Sequence, residues 1–254
     1  MRYLLLLGLA LWTGCKGGVD KTLEEVVEQN YQLDMGANLH VKNVDGTIRL
    51  YGWEKSEVQI KATKKAYSAE RLRAIEIKAA SSSQSLSIDT IFPAAEKWSL
   101  RDRSGVVDYV VVAPWHLQKI ELELVNGEIS VDGLREGDVH ASVVNGRLSA
   151  RNCFSNLDYG AQNGAIDFYY NWWEPGAHFT KAAIPNGAIG LFLPNNSSFQ
   201  LEAETQGGSI ISNLIDEDER LQSHRKKLIR IFGSGGGPTF KFKAATGNIR
   251  IHGY

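Results

Sequence analysis

Cysteine is nearly absent from this chain: Cys15 and Cys153 are the only two in 254 residues. With Cys15 in an N-terminal apolar stretch, no disulfide framework can be built, so the fold has to rest on its own core. Histidine is sparse too, and residues 40, 116, 140, 178, 224 and 252 never fall at the short spacings that metal ligands use; no metal site is expected. An excess of charge of one sign is missing, since 28 basic residues face 29 acidic ones. A bound polyanion would want a basic face, which argues against nucleic acid as a partner. Six prolines beside 25 glycines make a turn-rich chain rather than a disordered one. Catalytic signatures are also lacking. There is no Gly-x-Ser-x-Gly elbow, and nothing singles out a pair of carboxylates. Gly233-Ser-Gly-Gly-Gly237 runs into Pro238 rather than Lys-Ser/Thr, which makes it a turn and not a phosphate cradle. No cofactor and no enzymatic activity are expected.

One long apolar run is present, Tyr3 to Trp12, after Met1-Arg2 and before Thr13-Gly14-Cys15. It is about half the roughly 20 residues needed to cross a bilayer, and Lys16-Gly17-Gly18 ends it. This is the pattern of a secretory signal. Thr13-Gly14-Cys15 resembles the lipobox of bacterial lipoproteins, departing from it at Trp12, where that family usually has Leu. The resemblance implies removal of residues 1–14 and attachment of lipid, palmitate among its chains, to Cys15. Membrane contact would then run through the N-terminal lipid. Lys16, where inner-membrane retention uses Asp, implies the outer membrane. Residues 15–30 read as anchor and tether, and Asp20–Glu28 could form a short helix.

From residue 31 to 254 the chain reads as one repetitive all-β domain. A turn ending in glycine precedes alternating apolar positions in Asp45-Gly46-Thr-Ile-Arg-Leu50, Asn126-Gly127-Glu-Ile-Ser-Val131 and Asn145-Gly146-Arg-Leu-Ser-Ala150. The unit returns in Asn163-Gly164-Ala-Ile-Asp-Phe168, Asn186-Gly187-Ala-Ile-Gly-Leu191, Gly207-Gly208-Ser-Ile210 and Thr246-Gly247-Asn-Ile-Arg-Ile251. Period-two alternation marks a strand with one buried face, and Asn-Gly supplies the positive φ of a tight bend. From Gly127 the glycines step by 19, 18, 23 and 21 residues to Gly208. A step of 39 to Gly247 then fits two units with one degenerate copy. Such periods predict a single-stranded β-helix, a solenoid-like stack of short strands with Asn-Gly corners and a ladder of asparagines. Asn-Gly is also the strongest hairpin signal, so a β-sandwich or meander is the alternative. Residues 31–120 carry longer strands, at Leu39–Lys42, Val58–Ala62, Ala74–Lys78, Ser85–Ile88 and Val106–Val112.

Together, Val44-Asp45-Gly46-Thr-Ile-Arg-Leu50, Gly52-Trp53-Glu54, Val58-Gln-Ile60, Tyr109-Val-Val-Val-Ala-Pro114, Val125–Gly133, Gly233–Gly237 and Thr246–Ile251 resemble the bacterial putative-adhesin domain family of unknown function, over about residues 35–253. The resemblance implies a β-solenoid-like, adhesin-like domain in the cell envelope. The acid-then-base insert at 212–228 departs from that pattern and reads as a solvated helix.

The aromatic run Phe168-Tyr-Tyr-Asn-Trp-Trp173 is the candidate contact surface, with Tyr169, Tyr170, Trp172 and Trp173 as its residues; aromatic packing in the core is the competing use. The expectation is a non-catalytic cell-envelope lipoprotein that binds or scaffolds, with an envelope protein or glycan as partner. A polysaccharide-active enzyme on a β-helix scaffold is the alternative.

Overall fold

The computed structural model describes residues 22–93, 105–215, 226–234 and 236–254. The signal segment and Cys15 lie outside them, as does the expected helix in the insert, at 216–225. Within the described residues the chain is all-β apart from one short helix. In order it forms β1 (Leu23–Gln32), β2 (Asn38–Trp53), β3 (Glu57–Ala66), α1 (Ala69–Ala74), β4 (Glu76–Ser81), β5 (Ser85–Ile91), β6 (Val106–Pro114) and β7 (Lys119–Asp132). Then follow β8 (Asp138–Arg151), β9 (Asn156–Tyr169), β10 (Phe179–Leu193), β11 (Phe199–Thr205), β12 (Ile210–Ser212), β13 (Lys227–Phe232), β14 (Thr239–Thr246) and β15 (Ile249–Gly253). No helix among the described residues is long and apolar enough to cross a membrane.

The repeat is carried by β2, β7, β8, β9 and β10, which pair side by side and parallel. Each runs straight through its Asp-Gly or Asn-Gly step, so the expected short strands are halves of strands 14 to 16 residues long. The burial pattern shows how. In β7 the buried residues are Ile120, Leu122 and Leu124 before Gly127, but Ile129 and Val131 after it. The alternation slips by one residue at the corner, so the strand bends while its apolar side chains stay on the inside. Glycine is needed there twice over. Gly146 has φ 147°, and a Cβ on it would come within 1.7 Å of the Gly127 carbonyl oxygen.

The bends divide the molecule into two faces. One consists of β4, β5, the first halves of the five long strands, β14, β11 and β13. The other consists of β1, β3, β6, the second halves, β15 and β12. Antiparallel strands flank the parallel ones, so the sheet is mixed, and it does not close on itself. The core lies between the faces. Tyr109 of β6 meets Thr90 of β5 at 2.6 Å, and Phe168 of β9 stacks on Phe242 of β14 with ring centroids 5.5 Å apart.

Four expectations need correction. The pairing of successive repeat strands is parallel, not the antiparallel pairing of a hairpin meander. Among the described residues the 39-residue step holds no degenerate copy: β14 and β15 lie in space between β10 and β11–β12, so the column of glycines runs 187, 247, 208. The tether expected to reach residue 30 is strand from Leu23, paired antiparallel with β3, and Val27 and Tyr31 pack on the core. Its charged residues had masked an alternation that an edge strand tolerates. The insert is shorter than 212–228, because Ser212 ends β12 and Lys227 begins β13. The helix α1 had not been expected; the Ser68 hydroxyl caps it by accepting from the Arg71 N–H at 3.2 Å, and Leu72 is buried.

Candidate binding platform at the loop end

After each second half the chain returns through a loop, and these loops stack as the strands do. Phe154 N–H donates to the Leu134 carbonyl at 2.8 Å, and Gly133 N–H to the Arg151 carbonyl at 3.0 Å. Side chains one repeat apart are thereby brought together: Trp115, Arg135, Phe154 and Trp172, at steps of 20, 19 and 18 residues. The Arg135 guanidinium lies 5.7 Å from the Trp115 ring centroid and 5.9 Å from that of Phe154. It donates to Glu174 at 2.6 Å, and the other Glu174 oxygen accepts from the Trp172 indole N–H at 2.7 Å. One carboxylate thus fixes both a cation and an indole. Trp172 keeps 43% of its surface exposed, with Phe154 on one side at 6.0 Å.

Burial works against the Glu174 carboxylate, yet the hydrogen bonds from Trp172 and Arg135, with the Arg135 charge, outweigh it and hold its pKa below the ordinary value. His178, edge-on to Phe154 at 6.0 Å, is shifted down by burial, against the pull of Glu174. This platform has an aromatic surface and a held ion pair, the equipment of recognition. Among the described residues no three His, Cys, Asp or Glu side chains are placed to hold a metal ion. An open groove of about 310 Å³ near the corner, by Ala183, Pro185, Glu204 and Lys243, offers no aromatic ring to a ligand.

The four aromatic residues expected to form one surface are split up. Trp172 stands on the platform. Tyr170 is buried at 1% exposure and Trp173 packs edge-on against it at 5.5 Å, so both belong to the interior. Tyr169 points out from the second face and stacks on Phe192, centroids 4.8 Å apart. Strand alternation separates 169 from 170, and the loop separates 172 from 173. Trp115, Arg135, Phe154, Glu174 and His178 were missed, although the repeat period that locates the corners also locates Trp115, Arg135, Phe154 and Trp172.

No family model and no curated protein matches the chain. Solved structures similar to it include a "putative cell adhesion protein" from Clostridium sporogenes ATCC 15579, with a TM-score of 0.46 at 14% identity, covering 92% of this chain and all 100% of that one. A "putative adhesin" from Bacteroides fragilis NCTC 9343 gives 0.32 at 12% identity, over 89% and 97% of the two chains. A "putative lipid binding protein" from Parabacteroides distasonis ATCC 8503 gives 0.31 at 12%, over 90% and 96%. Likenesses this distant assign no residue a role.

Proposed function

We propose that this is a non-catalytic lipoprotein of the bacterial cell envelope, an adhesin-like β-solenoid held by lipid on Cys15 at the outer membrane, that binds a glycan or protein of the envelope through its loop-end platform. The observation that carries the reading is the exposed indole of Trp172, locked by Glu174, which Arg135 holds in turn. A ring fixed before the partner arrives loses little freedom on binding, and aromatic and arginine side chains dominate recognition surfaces. The solenoid description rests on the column of glycine corners, and the anchor on the lipobox resemblance.

The test of binding is a glycan-array and envelope pull-down screen with the soluble chain from residue 17. Trp172→Ala should abolish capture while leaving the melting temperature near that of the parent; undiminished capture by this variant would remove the platform. The anchor is tested separately by fractionation, where Cys15→Ser should leave the membrane pellet and unchanged retention would defeat lipidation.

A further inference from the structure

The start of β1 and the platform lie at opposite ends of the strands. Leu23 pairs with Ala66 of β3, Lys65 of β3 with Val106 of β6, and Val107 of β6 with Gly46. β1 therefore begins level with the glycine corners. From there it runs to the loop end, where Gln32 pairs with Glu57. Trp172 follows β9, which is also six strands away from β1, across β3, β6, β2, β7 and β8. At roughly 4.8 Å per strand and 3.3 Å per residue, the platform lies about 40 Å from Leu23. Given the proposed lipid on Cys15, on which the rest depends, the attachment point is eight residues before Leu23. Eight residues span at most about 28 Å. The lipid is thus tied to the corner end of the fold and cannot reach the platform.

The corner edge also differs from the faces on either side of it. One row of side chains runs along it from Asp45 through the four asparagines to Thr246. Beside it runs a second row, Val44, Val125, Val144, Gln162, Pro185 and Ala245, one residue from each strand in spatial order. Val125, Gln162 and Pro185 are exposed and the other three half-buried. Beyond Asp45 neither row contains a charge. The next row on the second face carries Glu128 and Arg147, and the next on the first face carries Lys42, Glu123 and Lys243. Apolar and amide side chains can lie against headgroups without stripping water from a charge, which the rows on either side could not.

We propose that the corner edge is the face this protein turns to the bilayer, so that the platform stands at the far end, beyond the headgroup layer. A partner of Trp172 then has to be a glycan or protein that projects from the membrane or lies outside it, and not lipid.

The lipidated full-length protein tests this on vesicles of phosphatidylethanolamine and phosphatidylglycerol that carry a quencher on the headgroup. A fluorophore is attached to one new cysteine, Gln162→Cys at the corner edge or Glu136→Cys at the loop end; both positions are exposed. Cys153 does not compete for the label, because it is buried and burial raises its thiol pKa. Quenching should be several-fold stronger at position 162 than at 136. Equal quenching, or stronger quenching at 136, on protein that floats with the vesicles overturns the orientation and leaves the anchor standing. Protein that stays out of the vesicle fraction overturns the anchor, and the orientation falls with it.

Discussion

The Asn126 side-chain amide donates to the Asp45 carboxylate at 2.8 Å across the corner between β2 and β7. Asp45 can only accept, so this bond sets the direction of everything that follows along the column. Asn145 donates to Asn126 at 2.9 Å, Asn163 to Asn145 at 2.9 Å and Asn186 to Asn163 at 3.1 Å. At the far end the Thr246 hydroxyl donates to Asn186 at 3.1 Å. A chain of side-chain hydrogen bonds thus runs along the outside of the corners, from an acceptor on β2 to a donor on β14.

Because the ladder is exposed, water competes for each bond and the net gain per rung is modest. Asn145→Ala removes two bonds and should cost about 1 kcal/mol, a fall of about 2–4 °C in melting temperature. Asp45→Asn should cost less, since an amide oxygen still accepts from Asn126. Thermal denaturation followed by circular dichroism checks both, and equal effects would show that the direction of the ladder carries no weight.

Glycine substitution should divide sharply by position. At Gly164 a Cβ would stand 1.7 Å from the Gly146 carbonyl oxygen, with φ at 132°. At Gly160, four residues earlier in the same strand, a Cβ meets nothing within 4 Å and the backbone is ordinary strand. Gly164→Ala should therefore abolish cooperative folding or lower the melting temperature beyond any ladder variant. Gly160→Ala should be neutral or stabilise by about 0.4–1 kcal/mol through the unfolded chain. A mild Gly164→Ala phenotype would mean that the corners can spread without loss.

The contrast between these glycines also explains how far the sequence could be read. Corners, ladder and alternation are local, and each is written in two to six adjacent residues, so Asn126-Gly127 or Ile129-Val131 announces itself. Spatial order is not local. Nothing in Thr246-Gly247 says that its strand slips between β10 and β11 instead of following β12. The strand β1 was obscured for a related reason: Glu24, Glu25 and Glu28 look like linker until Lys61, Lys64 and Lys65 of β3 are placed opposite them. For the platform, the aromatic run was visible, but Arg135 and Trp115 become its neighbours only once the loops are stacked.

Two carboxylates on the outside of the second face give the protein a predictable pH response. Asp167 lies over Gly190, where a Cβ would come within 2.5 Å of its Oδ1. Pressed against the sheet, it loses water, and burial pushes its carboxyl above the ordinary value although Arg147 at 3.3 Å and Arg250 oppose this. Asp132 is raised in the same way, with Arg151 opposing. A raised carboxyl keeps its proton in the folded state at a pH where the unfolded chain has released it. Its contribution is therefore greatest below the unfolded value and is lost as pH rises through the folded one. The melting temperature of Asp167→Asn relative to the parent should thus climb as pH rises above the ordinary carboxyl value of about 4. A relative fall over that range would mean that the Arg147 pair outweighs desolvation.

The placement of β14 between β10 and β11 makes it one of the most protected strands of the fold. Thr239–Thr246 has a parallel partner on either side, and Phe240 and Phe242 are fully buried. By contrast β1 has, among the described residues, a strand partner on one side only, β3. Amide hydrogen exchange should rank residues 240–244 among the slowest and residues 24–30 well ahead of them, because opening β14 requires parting β10 from β11. Ending the chain at Pro238 should remove the cooperative melt altogether: β10 and β11 would each lose a partner, and the stacked Phe168–Phe242 pair would go with them. Exchange in β14 as fast as in β1 would mean that the strand leaves its slot easily and that the core is complete without it.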